Sequence, residues 1–215
     1  MKHILISIQP EHCCNILNKD KILEIRKSIP KCELPCKVHI YCTKDTKHLV
    51  APFHFVDGWF YRVYDDNTSY ANGCFSNVGE TINGKVVAEF TLNRIDFLLD
   101  VGFGIHYVDK ELKDLDLDFL RTNSCLTDEQ IYFYLGLKKD SGYYNDGYVW
   151  HIDDLIIYDK PKELSEFYKK NTLNYDDFVF ALYNGTQTYS EYLKYQCSLK
   201  RPPQSWCYIQ ELKGE

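Results

Sequence analysis

The chain opens with a six-residue apolar run, His3–Ile8 (HILISI), whose length and isoleucine content predict a strand buried on both faces. Pro10 then suits the first turn of a helix over Glu11–Asn18, with Glu11 complementing the helix dipole and Cys14, Ile16 and Leu17 supplying apolar contacts. Asn18-Lys19-Asp20 reads as a turn. Lys21–Lys27 (KILEIRK) alternates, with Leu23 and Ile25 on one face and Ile22, Glu24 and Arg26 on the other. Ser28-Ile29-Pro30-Lys31 breaks this strand, and Lys37–Thr43 (KVHIYCT) forms the next.

Residues 49–84 change character. They carry Trp59, Phe60, Tyr61, Tyr64, Tyr70 and Phe75 among Gly, Asn, Asp and Ser with no sustained period, which predicts an insertion. Asn83-Gly84 is a hairpin-turn signal, followed by the β-branched and aromatic run Lys85–Leu92. Asp109–Leu120 is an acidic segment with leucines at 112, 115, 117 and 120. Thr127, with Gln130 three residues on, predicts a capped helix over Asp128–Leu135 that Gly136 stops. Gly142–Gly147 reads as a loop, Tyr148–Tyr158 as strand, turn and strand, and Pro161–Phe167 as a turn or one helical turn. A second aromatic-rich insertion, partly helical, spans about 168–200, and Ser205–Leu212 is the last strand. No repeat and no linker divides the chain, so one domain over 1–215 is expected. Strands outnumbering short helices favour an α+β fold built on a curled sheet or small barrel.

Composition narrows the class. At 45% hydrophobic and 26% charged, the 215 residues belong to a globular protein. No apolar run is long enough to span a membrane, and MKHILISIQPEH is too short in apolar length for a secretory signal. The net charge of −6 argues against a generally basic nucleic-acid coat. The charge is uneven, however: residues 1–48 hold nine basic and five acidic residues, the remainder sixteen and twenty-six. Nine cysteines, an odd number without a CxxC pair, predict free thiols in a reducing cytoplasm and no structural metal; no cofactor is indicated.

Burying Leu23 and Ile25 puts Glu24 and Arg26 together on the other face of their strand, close enough for an ion pair, and Lys21 sits at the turn where its stem can reach them. On a convex outer face such a pair is ordinary surface polarity. On the inner wall of an open barrel it is a preorganised site for anions and hydrogen-bonding groups.

Lys21-Ile22-Leu23-Glu24-Ile25-Arg26 resembles the GxKxxExR signature of the ASCH domain, of the PUA-like superfamily. Segments around Gly84–Phe90, Cys125-Leu126-Thr127, Trp150-His151-Ile152, Tyr158–Leu164 and Arg201–Trp206 resemble its longer bacterial and phage-type members. The signature's leading glycine is Lys19 here. The resemblance implies a PUA-like small β-barrel with short helices around it and a cleft beside the signature strand. It also implies binding of RNA or another nucleobase ligand. One ASCH-type group is an amidohydrolase of N4-acetylcytidine that uses a lysine, a threonine three residues later and a glutamate. Lys21 matches the lysine, Glu24 stands at the threonine position, and Glu129 is a candidate for the glutamate.

Three functions follow as expectations. In the first, Lys21, Arg26 and Lys27 hold phosphate or carbonyl groups of single-stranded RNA or a modified nucleoside in a cleft that Glu24 also lines, with Tyr41, Trp59 or Trp150 stacking on an unpaired base. In the second, Glu24 (or His151) is a general base on water and Lys21 or Arg26 stabilises the oxyanion of an acylated nucleoside. In the third, the insertions make the chain a protein-interaction adaptor or inhibitor.

Overall fold

A computed structural model of the protein describes residues 1–55, 58–65, 79–100, 104–136, 147–169, 179, 182–183 and 198–211. The fold is mixed α and β. In chain order its principal elements are β1 (His3–Ile8), α1 (Pro10–Leu17), β2 (Leu23–Arg26), β3 (Cys36–Cys42), β4 (Leu49–Phe55), β5 (Gly58–Tyr64), β6 (Val86–Leu92), β7 (Ile95–Asp100) and β8 (Ile105–Val108). Then come α2 (Leu117–Ser124), α3 (Asp128–Leu135), β9 (Gly147–His151), β10 (Asp153–Lys162), a 3-10 turn (Leu164–Glu166), β11 (Phe167–Tyr168) and β12 (Trp206–Glu211). The backbone groups into two compact units, one of Met1–Cys14, Lys37–Glu89 and Ile156–Glu215, the other of Asn15–Cys36 and Phe90–Leu155.

The first unit holds a six-stranded sheet in the order β10-β6-β3-β1-β12-β11. β1 lies inside it, parallel to β3 and antiparallel to β12. This explains its unbroken apolar run: Ile4, Leu5, Ile6 and Ile8 are all buried. One polar chain crosses the sheet. Tyr158 Oη donates to Glu89 Oε2 at 2.8 Å, so it accepts from His39 Nδ1, also at 2.8 Å. The other His39 ring nitrogen, Nε2, lies 2.9 Å from His3 Nδ1. Lys37 Nζ lies 3.1 Å from the other Glu89 oxygen. Burial works to raise the Glu89 carboxyl, but the Tyr158 and Lys37 hydrogen bonds and the charges of His39 and Lys37 hold it below its ordinary value.

Of residues 49–84, expected to be an aperiodic insertion, 49–64 contain the antiparallel β4–β5 hairpin, and 66–78 lie outside the described residues. Aromatic and apolar side chains occur on both of its faces, among them Phe53, Trp59, Phe60 and Tyr61, which erases the alternation that would reveal strands. The Asn83-Gly84 turn forms, with Gly84 at φ 82, and the described residues just before it, 79–82, are not in a strand. Instead Asn83 anchors the surrounding chain, accepting from Val50 N and donating to the His48 carbonyl. Of the expected loop Gly142–Gly147, only Gly147 is described, and it opens β9; most of the second insertion also lies outside the described residues.

The second unit is an antiparallel sheet, β2-β9-β7-β8, carrying α2 and α3 on one face. Leu23, Ile25, Leu98, Tyr107 and Val149 from the sheet pack against Leu120, Ile131 and Leu135 from the helices. α3 is capped as its sequence predicts: Thr127 and Gln130 satisfy each other's backbone N–H groups, and Gly136 takes the left-handed conformation (φ 74) that ends it. α2, absent from the expected elements, begins at Asp116, whose carboxylate accepts from Asp118 N. A Cβ on Gly147 would stand 2.8 Å from Leu135 Cδ1 and 3.3 Å from Leu98 Cβ, so glycine lets α3 close on the sheet.

Because Leu120 joins helix to sheet and is buried, Leu120→Ala should destabilise the protein by about 2–5 kcal/mol, read as a lower urea midpoint. An unchanged midpoint would show that α2 does not pack there.

Candidate functional site

The site begins where α1 ends. Lys19 adopts φ 67, a left-handed conformation that glycine takes readily. The chain thus makes a glycine-type turn with a lysine in it. The turn brings the Asp20 and Lys21 N–H groups onto the Asn15 carbonyl, at 2.9 and 3.1 Å. Ile22 N then donates to Asn123 O at the end of α2, and β2 starts at Leu23. Pairing with β9 sets Leu23 opposite His151, Glu24 opposite Trp150, Ile25 opposite Val149 and Arg26 opposite Tyr148.

With Leu23 and Ile25 turned into the core under α2 and α3, Glu24 and Arg26 occupy the other face, as the alternation predicts. That face is not a solvated exterior. Glu24 and Arg26 are buried, and Lys21 is only 1% exposed. The Glu24 carboxylate joins both cations, Oε2 at 3.3 Å from Lys21 Nζ and Oε1 at 3.0 Å from Arg26 Nη2. Lys21 Nζ also donates to the Ser124 carbonyl at 2.6 Å, where the C-terminal end of α2 favours a cation. Lys21 lines a cavity of about 230 Å³ with Lys19 and the apolar side chains Ile16, Ile22, Ile152 and Leu155. This is below the ~300–1,000 Å³ typical of drug-sized ligands and suits a single ring or small group.

At the Arg26 end the structure adds a residue that sequence reasoning missed. The guanidinium reaches the hydroxyl of Tyr134, on α3, and Lys27 Nζ stands 5.3 Å from the centre of the same ring. Tyr134 is 37% exposed. Burial of its hydroxyl is the main influence raising it, aided by Glu24 and opposed by Arg26. Tyr134 was hidden because it sits in the run Ile131–Leu135, where an aromatic reads as core.

The other expected residues divide. Tyr41 is 1% exposed, packed with Leu5, Val86 and Phe167 in the first unit, and Trp150 is fully buried. Neither offers a ring face to a base. Trp59 is exposed, on β5, with His54 edge-on to it. Glu129 is exposed in the first turn of α3. His151 bonds through Nε2 to Asp96 Oδ2 at 2.7 Å. Asp96 also accepts from Tyr107 Oη at 2.9 Å and from Arg94 Nε at 2.7 Å. Burial raises the Asp96 carboxyl, but these three donors outweigh it and hold it below its ordinary value; burial and Asp96 together raise Tyr107. Among the described residues no group of three or more histidine, cysteine or carboxylate side chains is arranged to hold a metal ion, and no helix is long and apolar enough to cross a membrane.

Two outcomes test this geometry. Glu24→Gln leaves two buried cations without their counter-charge and should cost about 3–5 kcal/mol in chemical unfolding; a cost below about 1 kcal/mol would place the cluster in solvent. Asp96 has a folded pKa below the ordinary 3.8, so its contribution is complete above that value and is lost as the pH falls through the folded pKa. Acid unfolding of Asp96→Asn should therefore depend less steeply on pH below about 4 than that of wild type. Identical slopes would contradict the three-donor arrangement.

Crystal structures of an ASCH protein from Zymomonas mobilis are similar to this chain at 15% identity, covering 97% of it and 88% of the other protein with a TM-score of 0.45. Two single-substitution variants of that protein give 15% identity and TM-scores of 0.44 and 0.45, covering 99% and 98% of this chain and 93% and 90% of theirs. No protein-family model and no curated protein matches the sequence.

Proposed function

We propose that the chain is an ASCH-type, PUA-like protein that binds a nucleobase-containing ligand, single-stranded RNA or a modified nucleoside, through Lys21, Glu24 and Arg26. The observation that carries the reading is the position of Lys21, which both closes the ion-paired cluster and lines the adjoining cavity. Burying three ionised groups costs several kcal/mol per ion, and an apolar set of similar volume would stabilise the sheet equally well or better. A function in recognition accounts for keeping them. The cluster supplies an acceptor flanked by donors, the pattern that reads a base edge, while Lys27 and the half-open Tyr134 ring provide a cation and a stacking surface beside Arg26. Few cations take part, so the site engages a short unpaired stretch and not a long phosphate track.

Amidohydrolysis of an acylated nucleoside is the second reading, favoured by the 3.3 Å contact between Lys21 and Glu24. In it the carboxylate would accept a proton from water while Lys21 or Arg26 stabilises the developing oxyanion. Both Glu24 oxygens are already engaged by cations, which weighs toward binding.

Binding is measured with fluorescent oligoribonucleotides and with N4-acetylcytidine, following cytidine release in the second case. Tyr134→Ala, at a half-exposed site, should weaken oligonucleotide binding by about 5- to 100-fold, the usual worth of one stacked base. Lys21→Ala should weaken it by at least tenfold. Lys21-dependent release of cytidine would favour the hydrolase; the absence of both binding and turnover in wild type would overturn the proposal.

A further inference from the structure

The connection from β2 to β3 brings two cysteines together, Cys32 and Cys36, with Glu33, Leu34 and Pro35 between them. Cys36 opens β3 and is fully buried, so its side chain has little freedom. Cys32 is half-buried, and its neighbours Lys31 and Glu33 are exposed. Both are free thiols, and their side chains hydrogen-bond to each other. We propose that Cys32 and Cys36 form a reversible disulfide, with Cys32 as the sulfur that meets a soluble disulfide of the glutathione class. The proposal is independent of the nucleobase reading, and either can fail without the other.

The argument starts from what each thiol touches. Cys14 directs its sulfur at the Tyr61 carbonyl, 3.2 Å away, and Cys125 directs its own at the Asp20 carbonyl, 3.4 Å away. A thiol set against a carbonyl is a small packed donor. Cys36 meets a second thiol instead. A disulfide needs the Cβ atoms within about 3.5–4.5 Å and the sulfurs at about 2.05 Å, which sulfurs already in contact approach by side-chain rotation. Because the fold holds them together beforehand, closing the bond costs little further ordering.

Burial divides the work between the two. Burial is the main influence raising the Cys36 thiol, aided by the adjacent Cys32, and pushes it up to about 12, so it keeps its proton near neutral pH. Attack therefore falls to Cys32, the sulfur within reach of solvent. Its thiolate bonds to one sulfur of oxidised glutathione, the glutathione S–S bond breaks, and the second glutathione leaves as a thiolate. Cys32 carries no charge in this mixed disulfide and no longer opposes ionisation of Cys36. Cys36 then yields its proton, and its sulfur attacks that of Cys32 and expels the first glutathione. Two protein thiols lose two electrons, and one oxidised glutathione becomes two reduced ones that take up the two protons.

Mass spectrometry of the full chain tests this directly. Trypsin cuts after Lys31 and Lys37, so both cysteines fall in one peptide, 32–37. The chain is incubated with oxidised glutathione, quenched in acid, unfolded and alkylated. The expected result is peptide 32–37 without alkyl groups and two hydrogens lighter than the dithiol, restored by dithiothreitol. Cys36→Ser should instead retain one glutathione on Cys32. Cys32→Ser, at a half-exposed position, should slow glutathione uptake by this peptide about tenfold or more. The wild-type peptide decides without either variant. Two alkylated cysteines after oxidation, a glutathione that stays on Cys32 while Cys36 is intact, or Cys32 joined to a different cysteine would each overturn the proposal.

Discussion

The Glu24 carboxylate is the point on which the site depends. Two cations converge on it inside a sheet, with the carbonyl end of α2 as a further partner for Lys21. Attraction between buried charges is strong, but so is the cost of drying them, and the two nearly cancel. What remains is geometry: each side chain is held at one distance from the others, because a displaced charge would face the low dielectric alone. That constraint ties β2 to α2, since Lys21 reaches Ser124 while Ile22 bonds to Asn123. The capped helix α3, packed on the same sheet, brings Tyr134 to the Arg26 end, where Lys27 meets its ring.

The same rule, that a buried polar group must be satisfied, is met differently elsewhere. In the first unit His39 is linked with His3, Tyr158, Glu89 and Lys37 in one polar chain. Around Asp96 three donors converge on one carboxylate.

Much of this was legible in the sequence where local chemistry decides. The apolar run at His3–Ile8, the Thr127–Gln130 cap, the Gly136 stop and the alternation of Leu23, Glu24, Ile25 and Arg26 each carry their own signal, and each appears in the structure. The features that escaped depend on distant partners. β7 follows from pairing with β9 and β8 from pairing with β7, and the β4–β5 hairpin has aromatics on both faces. Asp96 lies 55 positions from His151 in the chain, so spacing could not join them. Tyr41 and Trp150 show the converse: an aromatic that reads as a stacking surface is, in these two cases, packing.

The central claim is that the buried cluster itself meets the ligand. Its most direct test is NMR of the Arg26 guanidinium and Lys21 ammonium during titration with a short cytidine-containing oligoribonucleotide. The account predicts saturable shifts at both side chains with one shared affinity. Shifts confined to exposed lysines, with Arg26 and Lys21 unmoved at saturation, would contradict it.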